Sequence, residues 1–150
     1  MGVVIGGSLE TRPDSDPVVV GPRTSPDHEV RESFLCSPAS VAAARRFVRT
    51  TCDRWHIRTG ADVEMCASEV VSNAVVHGHG QIDVEIVRTP WGVRVAVSDE
   101  ERALPVVRPP IGEGEGGRGM AVVSALALRW AARPTDTGKV VWFHVSDRPD

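Results

Sequence analysis

The stretch Glu69-Val70-Val71-Ser72-Asn73-Ala74-Val75-Val76-His77-Gly78 decides how the chain is read. It sets a carboxylate, a carboxamide and an imidazole at four-residue steps: Glu69, Asn73 and His77. On a helix, steps of four stack side chains along one narrow stripe. Beside that stripe Val63, Ala67, Val70 and Ala74 keep the spacing of a buried face. The three polar groups would therefore border the packed face, where a cleft would open. A plain polar edge on an amphipathic helix explains this segment equally well, so the decision rests on the residues C-terminal to it.

Downstream, Gly78-His79-Gly80 stops the helix, and glycine in a left-handed backbone is the expected device. His77 and His79 do not read as a metal pair, because no acidic or cysteine ligand stands at metal spacing. Ile82, Val84 and Ile86 alternate with polar residues, as do Val93, Val95 and Val97, with Thr89-Pro90-Trp91-Gly92 between them. That is a hairpin with one buried face, and it runs into Ser98-Asp99. Residues 100–117 turn proline- and glycine-rich, and a loop of that length inside a small domain is usually functional. A short helix is expected over residues 119–127, then a hairpin over 128–133 and 139–145. Gly112-Glu113-Gly114-Glu115-Gly116-Gly117 fits the dinucleotide-binding glycine spacing. That reading is rejected, because the motif needs a strand directly before it and the preceding residues are proline-rich.

Upstream, Ser37-Pro38 opens a helix, as a cap followed by proline at the first turn. The helix is expected to run to about His56, with Val41, Ala44, Phe47 and Val48 inward and Arg45, Arg46 and Arg49 on a solvated face. A first strand is expected over residues 28–35. Residues 1–27 read as a disordered tail, residues 28–146 as the domain, and residues 147–150 as a C-terminal tail.

The 150 residues suit one domain with a real core. A net charge of -3 leaves no basic footprint for nucleic acid. The basic residues are almost all arginine, Lys139 being the only lysine, a bias read as compositional. Cys36, Cys52 and Cys66 are odd in number, and no pair has zinc-ligand spacing. They read as idle thiols of a reducing cytoplasm. The apolar start lacks a basic n-region, and Gly6 stands where a myristoylation signal needs Ser or Thr. No apolar run approaches membrane-spanning length. The expectation is a soluble, cytoplasmic chain.

Three features thus stand in order: the polar helix stripe, an aspartate at a strand end, and a glycine loop feeding a helix. Asn73 can give an amide oxygen to a hard cation such as Mg²⁺, which takes its other ligands from water and phosphates. Glu69, one turn earlier, can deprotonate a hydroxyl or water near those phosphates. Asp99 can accept a hydrogen bond from an exocyclic amine. Gly117-Arg118-Gly119-Met120 opens a helix whose first amides favour an anion.

In this combination the motifs resemble those of the GHKL (histidine kinase-like) ATPase superfamily. Residues 69–78 look like its N box, Asp99 like the adenine-binding aspartate of its G1 box, and Gly117-Arg118-Gly119-Met120 like its G2 box. Gly138-Lys139-Val140-Val141-Trp142 is similar to its closing strand. The short chain and Arg129-Trp130-Ala131-Ala132-Arg133-Pro134 point to the anti-sigma factor serine/threonine kinase-like branch. The resemblance covers about residues 30–146.

It implies an α/β (α+β) two-layer sandwich of Bergerat type, with helices on one face of a mixed, mostly antiparallel sheet. It implies ATP with Mg²⁺ under a lid formed by residues 100–117. Glu69 would be the catalytic base, Asn73 the Mg²⁺ ligand through the ATP phosphates, and Asp99 the reader of adenine. Gly117 and Gly119 would wrap the phosphates, with His77, Arg118 and Met120 completing the ATP-binding set. The implied partners are a sigma factor and a STAS-domain anti-sigma factor antagonist; a homodimer is left open.

Two departures accompany the resemblance. Asp99-Glu100-Glu101 lacks the glycine common after the G1 aspartate, so a wider or differently turned loop is expected there. Val140 replaces a threonine whose hydroxyl would help around adenine, a loss on the order of 1 kcal/mol.

Overall fold

The computed structural model describes residues 4–7, 27–105 and 118–147. Among the described residues six strands form one sheet: β1 (Val4–Gly7), β2 (Glu29–Leu35), β3 (Gln81–Thr89), β4 (Gly92–Asp99), β5 (Arg129–Pro134) and β6 (Lys139–Ser146). Their spatial order is β1-β5-β6-β4-β3-β2, and every neighbouring pair is antiparallel. Three helices accompany them: α1 (Ala39–Arg54), α2 (Gly60–His77) and α3 (Arg118–Leu126). The expected α+β architecture is the one observed.

Period-two alternation explains the sheet. Ile82, Val84 and Ile86 on β3, Val93, Val95 and Val97 on β4, and Val141, Phe143 and Val145 on β6 are all buried toward the helices. Cross-strand register puts Val84 opposite Val97 and Val95 opposite Phe143, so same-face neighbours meet directly. Each such aliphatic side chain stabilises by about 1.5–3 kcal/mol. The helices answer with Ala44, Val48 and Cys52 of α1, with Val63, Cys66, Ala67, Val70, Val71 and Ala74 of α2, and with Met120 and Val123 of α3. The other sheet face carries a smaller buried patch of Ala96, Ala131, Val140 and Trp142.

The structure corrects several expectations. The segment expected to be a disordered N-terminal tail contributes β1, whose backbone pairs with β5. Four residues suffice for this because ladder hydrogen bonds satisfy the backbone of an edge strand. At the other end Asp147 belongs to the folded unit. Its amide donates to the Trp91 carbonyl at 2.8 Å, and its carboxylate accepts from Thr59 N at 2.9 Å and Thr59 Oγ1 at 3.1 Å.

Helix α1 starts at Ala39, and Ser37 makes no side-chain cap. Ser40 instead turns its hydroxyl back to the Leu35 carbonyl at 2.5 Å. Gly78 ends α2 in an extended conformation, with φ −98° and ψ −176°, and the left-handed residue is Gly80 at φ +77°. Arg45, Arg46 and Arg49 lie on an exposed face, as expected. Arg49 and Arg45 remain exposed yet reach Glu64 across the helix pair, at 2.6 and 3.4 Å. Their guanidinium groups, the hydrogen bond from Arg49 first, hold the Glu64 carboxyl below its usual range.

Candidate functional site

Helix α2 positions the polar stripe. Its buried residues fall on the face toward the sheet, which leaves Glu69 and Asn73 half-buried at the edge and His77 exposed at the last position. Helix α3 packs beside α2, and its second residue, Gly119, faces Glu69. A Cβ at Gly119 would lie 2.9 Å from Glu69 Oε2 and 3.3 Å from Glu69 Cβ. The first turn of α3, with its anion-favouring amides, is thereby set against the Glu69 carboxylate. At the other end of the stripe a Cβ on Gly78 would lie 3.8 Å from Asp99 Cβ. Glu69 and Gly78 are about 13 Å apart along the helix at 1.5 Å per residue. The structure thus brings Glu69, Asn73, Gly119 and Asp99 to one helix edge. Among the described residues, the side chains of Glu69 and Asn73 make no hydrogen bond or ion pair.

Met120 is 1% exposed, so its side chain belongs to the core and only its backbone can face a ligand. Gly117, the Arg118 side chain and most of the expected lid (residues 106–117) lie outside the described residues.

Asp99 is not a free acceptor. Lys139 lies directly opposite it across the β4–β6 ladder. The Lys139 ammonium donates to Asp99 Oδ2 at 2.8 Å, with both side chains only 1% exposed, and it lies 3.0 Å from Oδ1. The Glu101 amide also donates to Oδ1, at 2.8 Å. The two inward stripes, Val93-Val95-Val97 and Val145-Phe143-Val141, therefore end in a buried ion pair. A pair of this kind survives burial only when further hydrogen bonds accompany it.

The Asp99-Glu100-Glu101 sequence is thus a tight Asx turn, the differently turned loop that its missing glycine implied. Glu100 leaves the turn to accept from Gln81 N at 2.5 Å. The close approach extends to Gly138, where a Cβ would sit 1.8 Å from the Asp99 carbonyl oxygen; only glycine fits before Lys139.

Lys139 is the site residue that sequence reasoning passed over. One signal was present: a chain with sixteen arginines keeps a single lysine here. An ammonium is a compact point charge, whereas the arginine fork needs room for five donors. The ammonium at position 139 sits buried between β4 and β6 against the Asp99 carboxylate.

The neighbouring chemistry narrows the choice of roles. Cys66, three residues before Glu69, is buried, and that burial pushes its thiol up to about 12, so it supplies no nucleophile. A recess of about 430 Å³ at the strand ends is lined by Gln81, Asp83, Ser98, Asp99, Glu100, Thr135 and Thr137. Asp99 is neutralised by Lys139, but Asp83 and Glu100 leave the recess acidic, so the first amides of α3, beside α2, are the anion-favouring groups. Among the described residues no three His, Cys, Asp or Glu gather as a metal site. Mg²⁺ held by Asn73 would accordingly take its other ligands from phosphate and water, the usual habit of that ion. The Asn73 carboxamide, without a side-chain partner among the described residues, and the glycine cradle at α3 fit that arrangement.

No helix among the described residues is long and apolar enough to cross a membrane. No curated protein matches the chain. The family description "Histidine kinase-like ATPase domain" matches residues 34–145, a span that holds α1, α2, α3, the stripe, Asp99 and Lys139. With most of its length so matched, and with the sandwich and the helix-edge site in place, the chain belongs to the histidine kinase-like ATPase domain family.

Proposed function

We propose that the chain is a cytoplasmic ATP- and Mg²⁺-dependent protein serine/threonine kinase that phosphorylates a STAS-domain antagonist and thereby controls a sigma factor. One observation carries this reading: the order of groups along α2, with Glu69 against the start of α3, Asn73 one turn on, and Asp99 beneath Gly78. A nucleotide laid along that edge has its phosphates at the α3 amides and its base toward Asp99. Asn73 would hold Mg²⁺, which when bound would neutralise charge on the phosphates. Glu69 accepts the proton of a seryl or threonyl hydroxyl at the phosphate end. The hydroxyl oxygen then bonds to the γ-phosphorus, the bond to the β-phosphate oxygen breaks, and ADP leaves. The choice of partner rests on the likeness of residues 69–78, Asp99, residues 117–120 and residues 129–134 to the anti-sigma factor kinase branch.

Transfer of labelled γ-phosphate from ATP to STAS-domain proteins tests the reading. Glu69→Ala should keep ATP affinity and lose at least about 100-fold in transfer, the scale of a removed general base. Equal transfer by the variant would remove Glu69 from that role.

The Asp99–Lys139 pair favours a second reading, an ATP-responsive partner-binding switch with little or no turnover. Under it, a sigma factor or its antagonist is captured in an ATP-dependent manner while no label moves.

A further inference from the structure

The Asp99 carboxylate stands where a base would be read, yet its acceptor capacity is largely spent inside the protein. A carboxylate offers about four lone-pair positions. The Lys139 ammonium contacts both oxygens, at 3.0 and 2.8 Å, and the Glu101 amide takes Oδ1 at 2.8 Å. The side chain is 1% exposed. A base amine that displaced Lys139 would leave a buried ammonium facing, among the described residues, only the Glu101 carbonyl, 3.4 Å away. A single amine hydrogen bond does not offset an uncompensated buried charge. The Lys139 backbone is held in place as well. Its strand position is fixed opposite Asp99, and Gly138 is clamped against the Asp99 carbonyl.

We infer that Lys139 is a specificity-determining residue: by holding Asp99 as an internal counter-ion it suppresses reading of the exocyclic amine, so the site selects a purine triphosphate by its phosphates and not by its amine. This inference rests on the nucleotide reading of the α2 edge and refines it. The other acid groups close to Lys139 have occupations of their own. Glu100 caps the start of β3, and the Glu101 carboxylate accepts from the Ala103 amide at 2.9 Å. Neither replaces Asp99 as the partner of the ammonium.

The test compares Mg²⁺-ATP with the triphosphate of purine riboside, which lacks the exocyclic amine, by calorimetric titration. The wild-type protein should bind the two within about threefold of each other, a difference under 1 kcal/mol. Lys139→Met keeps the aliphatic stem and frees Asp99, so its preference for ATP should rise to about tenfold or more. The double variant Asp99→Asn/Lys139→Met removes both charges and should return to near-equal binding. It also keeps the question decidable if Lys139→Met alone does not fold, because wild type and double variant then carry the comparison. A wild-type preference for ATP of tenfold or more, lost in the double variant, would overturn the inference and leave the nucleotide site standing. Absence of binding of either triphosphate at millimolar concentration would overturn the nucleotide reading, and the inference with it.

Discussion

Gly119 shows how one missing methyl group sets the position of the Glu69 side chain. Its Cα approaches Glu69 so closely that an added Cβ would lie 2.9 Å from Oε2. The nearest obstructed atom is the tip of a flexible side chain, which can move aside, while Glu69 Cβ, at 3.3 Å, must give by a few tenths of an ångström. Alanine also favours a helix over glycine by about 0.5–1 kcal/mol. Gly119→Ala should therefore melt at the wild-type temperature or slightly above it. Phosphate transfer should nevertheless fall by about tenfold or more, because a displacement near 1 Å is costly at a reacting centre. A thermal melt run beside the label-transfer assay checks both halves. Unchanged transfer would mean that the position of Glu69 does not matter. The contrast with Gly138 is instructive, since its blocked neighbour is a backbone oxygen that cannot yield.

At the scale of elements, α1 and α2 form a pair whose buried faces include Cys52 and Cys66, each about 1% exposed or less. Burial pushes both thiols up to about 12. Cys36, at the end of β2, is only partly covered and leans on the Ala74 and Val75 carbonyls. In native protein at pH 8 a thiol reagent should label no more than Cys36, and the other two only in denaturant. Fast labelling of Cys52 or Cys66 would contradict the packing of α1 and α2. The helices and hairpins were legible in the sequence because each has a regular apolar period, such as Val93-Val95-Val97 or Val63-Ala67-Val70-Ala74. So was the α2 stripe, since one helix fixes the relative positions of Glu69 and Asn73. β1 was not legible, because its four residues join by backbone pairing and carry no period. The Asp99–Lys139 pair was hidden for another reason. It depends on the β4–β6 register, which joins positions forty residues apart and is set by packing across the whole sheet.

Across the whole molecule, the sheet separates two environments. The helix side holds the proposed nucleotide edge. The other side holds His144, which is 5% exposed and within 2.9 Å of Thr89 Oγ1. Burial first, then the Arg129 and Arg94 charges, lowers its pKa from the ordinary 6.5 to about 4. The unfolded chain takes up a proton there near pH 6.5, while the folded chain resists until about pH 4. His144 thus contributes a loss of stability as pH falls through that window. The loss is on the order of 2 kcal/mol once partial solvent screening is allowed for. Denaturant midpoints measured at pH 7 and pH 4.5 should show the fall in wild type and a smaller one in His144→Gln; equal falls would separate the acid sensitivity from this histidine. The nucleotide edge itself answers to one direct measurement, calorimetric titration of ATP with and without Mg²⁺ into wild type and Asn73→Ala. Wild-type binding should weaken about tenfold or more when Mg²⁺ is withdrawn, and Asn73→Ala should bind no better with Mg²⁺ than without it. ATP binding indifferent both to Mg²⁺ and to Asn73, or no binding by wild type at millimolar ATP, would contradict a nucleotide site on α2.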